Sequence, residues 1–476
     1  MVKNDTALAA LEHEFQTALG YMNQPAKNWV HQRLAPDGKK ALDVAIIGAG
    51  ASGLSVAFAL KREGVRNIAV FDQNPRGEEG PWITTARMRT LRSPKHLTGP
   101  HQGIASLTFR AWYSAVYGEE AWEKLDKIPR EVWMAYLCWY RKITVPFVQN
   151  DICLKSLKSE GDFWHLLMDG ENGTRQQYAR HVVLATGRAA SGGVALPPVA
   201  DTIPAYKRAH TEDQIDFCQL KGARILVVGG AASAVDAAAT ALENGAAQVD
   251  MLVRSPEMPT LNKFKYIVYP GFMRGFHKLP AEKKWAFLKE GFDAKVAAPR
   301  DSMLRLKAHE NFNLYLGAGL ISASCSENNL TLTTHRGQFT GDFVIFGTGY
   351  AMDLQKQPEL ASLAPDIRLW KDEFQPPSGN EDDPLLSYPF LGDGFQFLPK
   401  RETENCSGLD RLHLFNAATT MSHAPVSSDI PGTNIGTERL VDHLISRLFC
   451  DNAEAHLEEM QKYAEPELLG DEWIER

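Results

Sequence analysis

Two glycine-rich stretches decide the fold: DVAIIGAGASG at residues 43–53 and RILVVGGAASA at residues 224–234. Each joins a short run of β-branched apolar residues to a segment with the composition of a helix. In the first stretch, Gly48 permits a tight bend, Gly50 lets backbone N–H groups approach a pyrophosphate, and Gly53 lets the helix pack close to the strand. This spacing predicts a strand, a turn and a helix whose N-terminus binds a dinucleotide.

The strand expected after each turn ends in a different charged residue. Residues 67–72 (NIAVFD) end in Asp72, at the distance along the chain that places a carboxylate on a ribose hydroxyl. Residues 248–255 (QVDMLVRS) end instead in Arg254 and Ser255. A 2′-phosphate would be repelled by a carboxylate and bound by a guanidinium. We therefore interpret the first site as binding FAD and the second as binding NADPH, with a solvated arginine at a strand end as the alternative.

The second turn departs from the usual glycine pattern. Ala231 and Ala234 stand where glycine is common, and only Gly229 and Gly230 remain to make the bend. A small residue is sufficient at position 234, because helix and strand need only close packing there. The methyl group of Ala231, in contrast, is expected near the phosphates.

Composition agrees with a large globular protein. The chain has 476 residues, of which 44% are hydrophobic and 23% charged, which predicts two or three domains. Its net charge of −7 argues against nucleic acid as the main partner. The six cysteines show no CxxC and no metal-ligand spacing, so we expect a reducing cytoplasm, no disulfide framework and no metal. The apolar stretch 44–60 contains the glycine fingerprint, and we expect neither a signal peptide nor a membrane span.

We expect an α/β fold with two Rossmann-like dinucleotide-binding domains and helical additions. Residues 1–40 form a helical extension, and the FAD domain, in two parts, covers 41–204 and 339–476, the latter with C-terminal helices. The NADPH domain lies between them at 205–338, with a helical insertion at about 263–307. The second boundary depends on a repeat, because FVIFGTG at 343–349 has the pattern of HVVLATG at 181–187.

In this order the motifs resemble the class B flavin-dependent monooxygenases, most closely the microbial N-hydroxylating branch that includes ornithine and lysine N-hydroxylases. The resemblance runs from Leu42 to about Leu448 and includes GPW at 80–82, ATG at 185–187 and GTGY at 347–350. It implies FAD and NADPH as cofactors and a flavin C4a-hydroperoxide as the oxygenating species. It also implies dioxygen and a small polar substrate, most simply an amine or amino acid that becomes N-hydroxylated.

The resemblance also assigns roles to residues on the substrate side. RMRTLRSPKH at 87–96 is the densest basic stretch of the chain. In the N-hydroxylases a Met-Gln pair near the flavin precedes a lysine that binds the substrate carboxylate, which implies Met88 at the flavin, Arg89 in place of the glutamine, and Lys95 as that lysine at an altered spacing. Asn262 would contact the substrate backbone and His423 would line the pocket. A solvated basic loop and a structural histidine are the alternatives.

Further cofactor contacts follow from the remaining motifs. Trp82 carries over as a flavin contact, with a core tryptophan as the alternative, and SDIPGTN at 428–434 predicts a helix start that points N–H groups at the flavin. YKRAHT at 206–211 keeps the histidine of the Baeyer-Villiger motif but lacks its Phe and Gly. The predicted cofactor-binding residues are Gly48, Gly50, Ser52, Gly53, Asp72, Trp82, Met88, Thr186, Gly187, His210, Gly229, Gly230, Ser233, Arg254, Ser255, Thr348, Gly349, Gly432 and Thr433.

Other functions stay open at this point. S-oxygenation, Baeyer-Villiger oxygenation and a non-catalytic redox-sensing flavoprotein that binds both nucleotides are the alternatives to N-hydroxylation. A disulfide reductase with two nucleotide turns would need a redox CxxC, which is absent from the sequence. The predicted partners are a small-molecule substrate and dioxygen, with neither nucleic acid nor membrane, and the N-terminal helix could serve a homo-oligomer.

Overall fold

The computed structural model describes residues 5–171, 173–326, 329–401 and 408–473. Its helices are α1 (Asp5–Tyr21), α2 (Ala51–Arg62), α3 (Phe109–Tyr117), α4 (Glu119–Lys124), α5 (Arg130–Thr144), α6 (Ala232–Glu243), α7 (Pro270–Gly275), α8 (Ala281–Asp293), α9 (Arg300–Lys307), α10 (Trp370–Glu373), α11 (Thr420–His423), α12 (Thr433–Cys450) and α13 (Ala453–Lys462). Its strands are β1 (Leu42–Ile47), β2 (Ile68–Phe71), β3 (Ile152–Glu160), β4 (Phe163–Gly170), β5 (Gly173–Leu184), β6 (Arg208–His210), β7 (Arg224–Val228), β8 (Gln248–Val253), β9 (Phe312–Leu316), β10 (Leu320–Cys325), β11 (Leu330–Thr334), β12 (Gly337–Gly341), β13 (Phe343–Phe346) and β14 (Leu412–Leu414).

The first sheet has the order β2-β1-β5-β4-β3, with β14 also paired to β5. Strands β1, β2 and β5 are parallel, and Ile47 is in register with both Phe71 and Leu184. Parallel strands in register end at one edge of a sheet, so the first glycine turn, Asp72 and the turn after β5 meet there. The buried apolar side chains of β1 and β2 explain why these short runs form strands inside the fold.

The second sheet is entirely parallel, in the order β6-β13-β7-β8-β9. Phe346 is in register with His210 and Val228, so the turn after β13 meets the second glycine turn. This corrects the predicted boundary at residue 339. The small-Thr-Gly turn at 347–349 follows a strand of the second nucleotide sheet and does not return the chain to the first sheet. Each nucleotide turn packs against one such turn, at 185–187 in the first sheet and at 347–349 in the second.

The helical additions lie where the sequence predicts them. Helix α1 falls in the N-terminal extension, α7 to α9 fall in the insertion at 263–307, and α12 and α13 follow near the C-terminus. The antiparallel strands β10, β11 and β12 form a third, small sheet before β13. Helix α12 packs along α2, which brings the segment before α12 next to the first nucleotide turn. No helix in the described ranges combines the length and apolar character of a membrane span.

Candidate functional site

The first nucleotide turn is built so closely that only glycine fits at two of its positions. A Cβ on Gly48, whose φ is +103°, would lie 2.3 Å from the carbonyl oxygen of Ala185 at the end of β5. A Cβ on Gly53 would lie 1.8 Å from the carbonyl oxygen of Gly48. Because neither residue has a Cβ, the N-terminus of α2 can lie this close to the strand edge.

Gly50 plays a different part in the same turn. A Cβ built on Gly50 meets no atom within 4 Å, so the missing side chain faces open space. Gly50 is also the N-cap of α2, and no side chain caps that helix. The first N–H groups of α2 are therefore free to bind an anion, and the open space admits one. The turn fits the pyrophosphate of FAD.

Asp72 is positioned by the turn that it faces. The side chain is buried, and its two oxygens accept hydrogen bonds from the N–H groups of Ala49 at 2.7 Å and Asn74 at 2.8 Å. Burial raises the pKa of the Asp72 carboxyl, and the two backbone hydrogen bonds oppose that rise. The carboxylate therefore lies at the strand edge where the sequence predicts a ribose contact.

The second nucleotide turn repeats this plan with a change of partners. A Cβ on Gly229, with φ +135°, would lie 2.3 Å from the carbonyl oxygen of Gly347. A Cβ on Gly347 would lie 2.4 Å from that of Ala234, so the alanine of α6 fits because the facing residue is glycine. Ala231 is the N-cap of α6, no side chain caps that helix, and Ser233 is exposed in its first turn. Its first N–H groups, like those of α2, fit a phosphate.

Arg254 lies exposed at the carboxyl end of β8, next to Gly319, with Ser255 partly buried beside it. Within the described ranges, no ion pair or hydrogen bond engages its guanidinium. An arginine free at this edge is arranged to meet a ligand phosphate.

The basic segment at 87–96 joins the two nucleotide domains. Arg87 donates to the carbonyl oxygens of Thr211 and Asp213, and Arg89 forms a 2.8 Å ion pair with Glu243 on α6. Arg305 on α9 binds the same glutamate, also at 2.8 Å. Two cavities, of about 260 and 380 Å³, adjoin the segment, and Arg89 and Arg305 line both. Met88 lines the larger cavity.

Arg92 belongs to the basic segment at 87–96, but no motif in the sequence assigns it a role of its own. Its side chain is accessible to water, yet desolvation by the surrounding protein lowers its pKa, opposed by Asp236 of α6 and, more weakly, by Asp429. Arg92 also lines the smaller of the two cavities. The positive charge of Arg188, just after the predicted Thr186-Gly187 turn, lowers the pKa of both Arg92 and Asp429. No spacing rule connects these residues, because the contact joins distant parts of the chain.

Lys95 has its ammonium group engaged by the protein itself. It donates to the carbonyl oxygens of Trp122 at 2.8 Å and Glu123 at 3.3 Å, and it lies 4.9 Å from the Trp122 ring centre. A substrate carboxylate would have to replace these contacts. Trp82 is half-buried, with its ring 6.0 Å from that of Trp133.

Two other predicted substrate residues have local partners. The Asn262 side chain accepts a hydrogen bond from the N–H of Phe264 at the start of the helical insertion. His423 is buried, with one ring nitrogen 3.1 Å from the Arg439 guanidinium and the other 3.0 Å from the Gly392 carbonyl oxygen. Because arginine can only donate, His423 is neutral and donates to Gly392. Its contacts are those of a structural histidine.

The segment at 428–434 reaches the first nucleotide turn. Ser52 donates to the carbonyl oxygen of Ser427 at 2.7 Å, and Thr433 donates to that of Asp429 at 3.0 Å. A Cβ on Gly432 would lie 2.6 Å from the Cα of Val426, so this bend also requires glycine.

The two small-Thr-Gly turns are held by different partners. Thr186 accepts from the side chain of Asn416 at 3.1 Å, whereas Thr348 donates to the carbonyl oxygen of Ala195. Gly187 and Gly349 both have positive φ, at +79° and +84°. His210 is buried at the end of β6, with its ring 6.1 Å from that of Tyr350, and burial lowers its pKa.

Comparison with known proteins identifies the relatives of this arrangement. A family model described as FAD-NAD(P)-binding matches residues 45–189, and one described as L-lysine 6-monooxygenase/L-ornithine 5-monooxygenase matches residues 121–308. The FAD-dependent urate hydroxylase of Xanthomonas campestris pv. campestris is 36% identical over 98% of this chain and 98% of its own length.

Two solved structures share the fold. The ornithine hydroxylase of Pseudomonas aeruginosa is similar with a TM-score of 0.68 at 15% identity, over 86% of this chain and 100% of that one. The ornithine N-hydroxylase of Kutzneria sp. 744, in a structure with reduced FAD, NADP⁺ and L-ornithine, has a TM-score of 0.65 at 16% identity, over 86% of this chain and 99% of that one. The predicted α/β fold and the predicted cofactors, FAD and NADPH, are confirmed.

Proposed function

The chain belongs to the class B flavin-dependent monooxygenases, and on that premise we propose that it hydroxylates a small anionic nitrogen heterocycle, with urate as the first compound to test. The observation that carries the proposal is the 36% identity to a urate hydroxylase across 98% of both chains. When bound, FAD and NADPH supply the two electrons that split dioxygen, so that one oxygen atom enters the substrate and the other leaves as water.

The cleft offers donors and an acceptor that suit such a substrate. Arg92 lines the smaller cavity and Arg188 is exposed, and two guanidinium groups can bind a delocalised anion and ring carbonyl oxygens. Asp429 lies close enough to both for each to lower the pKa of its carboxyl, which burial raises. Its carboxylate has no hydrogen-bond partner among the described residues and can accept from a ring N–H. We assign these three side chains to substrate binding and orientation.

The experiment is a coupling measurement on the holoenzyme. NADPH oxidation, oxygen uptake and loss of substrate are followed together with urate, and in parallel with ornithine, lysine and cadaverine. One urate consumed per NADPH and per dioxygen, with little hydrogen peroxide, is the expected result. NADPH oxidation that yields only hydrogen peroxide with urate would contradict the proposal.

Replacing Arg92 tests its assignment. Arg92→Ala removes a charged contact present in both ground and transition states, so KM for urate should rise about tenfold to a hundredfold while kcat changes little. Arg110→Ala is the matched control, because Arg110 is an exposed arginine paired with Glu119 on the surface. Equal KM values in the two variants would remove Arg92 from the site.

N-hydroxylation of an amine or amino acid is the second candidate, favoured by the family model that matches residues 121–308. In that candidate Lys95 would leave the Trp122 and Glu123 carbonyls and bind the substrate carboxylate. A coupled reaction with ornithine or lysine, and a raised KM in Lys95→Ala but not in Lys124→Ala, would select it. Lys124 is a suitable control because it forms an exposed pair with Glu120.

We also propose a cytoplasmic location. Five cysteines in the described ranges are free thiols, as a reducing compartment maintains them, and Cys406 lies outside those ranges. Oligomerisation through α1 stays a prediction, which size-exclusion chromatography with light scattering would test.

A further inference from the structure

We infer that His31, His456 and Glu459 form a divalent-metal site, and that Zn²⁺ is the ion whose chemistry fits it best. Two imidazoles and a carboxylate are a donor set that zinc accepts, with water completing the tetrahedron. One ligand atom from each of the three side chains lies within 4.8 Å of the others. The site is formed by the segment after α1 and by α13, and it does not include either nucleotide turn.

The distances are already near those of a coordinated ion. His31 Nε2 lies 3.4 Å from Glu459 Oε2, and His456 Nδ1 lies 3.9 Å from the same oxygen. Ligand atoms at zinc bond lengths and tetrahedral angles are separated by about 3.3 Å. Small side-chain rotations would therefore close the site around an ion.

A second observation points to a ligand at this position. The Nε2 atom of His31, which faces Glu459, is buried and makes no hydrogen bond among the described residues. Leaving such an atom unsatisfied costs free energy, which an ion bound to His31 Nε2 would offset.

The helix itself suggests what the ion does. Helix α13 has no buried residue, so hydrophobic packing contributes little to its attachment. His456 and Glu459 are three residues apart and share one face of α13. The His456 ring is stacked on Phe449 at 5.1 Å and meets the His31 ring edge-on at 4.5 Å, which orients it. A metal ion here would fasten α13 to the segment that follows α1.

The test is metal binding by the full-length holoenzyme after treatment with a chelator. Zn²⁺ is added in competition with a chromophoric chelator, and the parent is compared with His31→Gln, His456→Gln and Glu459→Gln. His309→Gln is the control, since His309 is a half-buried histidine outside the cluster. We expect one equivalent of Zn²⁺ in the parent and the control, and loss of that equivalent in the three cluster variants.

Glu459→Gln still tests the inference if a histidine variant fails to fold. Its side chain is 64% exposed, so Glu459→Gln should retain the fold and the bound flavin. In the parent, Zn²⁺ should slow amide hydrogen exchange in α13, and in Glu459→Gln it should not. The inference is overturned if the parent binds no stoichiometric Zn²⁺, if Glu459→Gln binds it as tightly as the parent, or if exchange in α13 is unchanged by the ion.

Discussion

The two nucleotide turns of this chain share one plan and place their glycines differently. In both, the first glycine approaches a neighbouring strand end so closely that a Cβ would lie 2.3 Å from its carbonyl oxygen. At the helix–strand contact, Gly53 faces Ala185 in the first turn, whereas Ala234 faces Gly347 in the second. The glycine of this contact lies on the helix in the first turn and on the facing segment in the second. Close packing is therefore a property of two segments together, and one stretch of sequence does not reveal it.

The charged position differs for a chemical reason. Asp72 is buried and held by the N–H groups of its own turn, whereas Arg254 is exposed and unpaired among the described residues. A carboxylate held by backbone hydrogen bonds suits a ribose hydroxyl, and a guanidinium without a protein partner suits the 2′-phosphate of a nucleotide. This contrast favours FAD at the first turn and NADPH at the second. Four predictions test this comparison.

The largest effect is expected at Gly50. Gly50→Val should yield folded protein without FAD, because its Cβ meets no protein atom while a branched side chain would occupy the space that the pyrophosphate needs. The φ of Gly50, −66°, is accessible to valine. Flavin absorbance per folded chain, with circular dichroism as the measure of folding, checks this. A fully yellow variant would contradict the assignment of the first turn.

The exchange of small residues predicts a coupled pair in the second turn. Gly347→Ala should destabilise the protein by about 1–3 kcal/mol, because the new methyl would meet Ala234. Adding Ala234→Gly should recover part of that loss, since the Cβ contact disappears while the Cα of residue 234, at 2.7 Å, remains. Chemical denaturation of both single variants and the double variant gives the coupling free energy, about 0.5–3 kcal/mol.

The first turn supplies the matched control. Gly53→Ala should not be relieved by Ala185→Gly, because its clash is with the Gly48 carbonyl oxygen at 1.8 Å. Strictly additive free energies in the second turn, or rescue in the first, would show that the two turns do not differ in this way.

Arg254→Ala should weaken NADPH binding by about 1.5–3 kcal/mol, the free energy of one charge-assisted contact. This corresponds to about tenfold to more than a hundredfold in affinity, with NADH scarcely affected. Flavin reduction by each nucleotide is measured in stopped flow. Arg336→Ala, an exposed arginine of the same domain, should retain the parent's preference for NADPH. Unchanged preference in Arg254→Ala would refute the assignment.

The ion pairs that flank the two central strands predict effects that depend on pH. Asp43 on β1 is buried beside Arg180, and burial raises the pKa of its carboxyl to about 6. Arg224 on β7 pairs in the open with Asp342, and that hydrogen bond lowers the pKa of the Asp342 carboxyl. In the first domain the acidic residue lies on the central strand and the pair is buried, whereas in the second the basic residue lies on the central strand and the pair is exposed.

These shifts predict pH dependences of opposite sign. Because the pKa of Asp43 is raised in the folded state, the free energy of unfolding of the parent falls as pH rises from about 4 through about 6. Asp43→Asn lacks this loss, so its free energy of unfolding should rise by about 1–3 kcal/mol relative to the parent over that range. Because the pKa of Asp342 is lowered in the folded state, its carboxylate stabilises the parent more as pH rises. The free energy of unfolding of Asp342→Asn should therefore fall relative to the parent as pH rises. Exposure limits that second effect to about 0.2–1 kcal/mol. Unfolding free energies are compared from about pH 4 to pH 6 for Asp43→Asn and below about pH 4 for Asp342→Asn, each against the parent. Differences that change with pH in the same direction for both variants would contradict the comparison.

Local patterns predicted the strands, the turns and the exposed Arg254, because each depends on residues close together in sequence. The sheet to which Phe343–Phe346 belongs was predicted wrongly, because an apolar strand with a small-Thr-Gly turn fits either sheet and only long-range pairing decides.

The substrate side was less accessible to sequence reasoning. The charges of Arg188, Asp236 and Asp429 influence the pKa of Arg92 from three other parts of the chain, and no motif spacing joins these residues. Lys95 occupies the expected stretch, but its ammonium is taken by carbonyls that a residue pattern does not place. A resemblance therefore transfers cofactor turns more safely than substrate contacts, because the turns are backbone features and the contacts are made by side chains.

A crystal structure of the holoenzyme with NADP⁺ tests the central claim most directly. We expect the FAD pyrophosphate at the N-terminus of α2 beside Gly50, with Asp72 at its ribose. The NADP⁺ pyrophosphate should lie at the N-terminus of α6, with its 2′-phosphate against Arg254 and Ser255. NADP⁺ at the first turn, FAD at the second, or a 2′-phosphate bound away from Arg254 would contradict the claim that the two turns hold different dinucleotides.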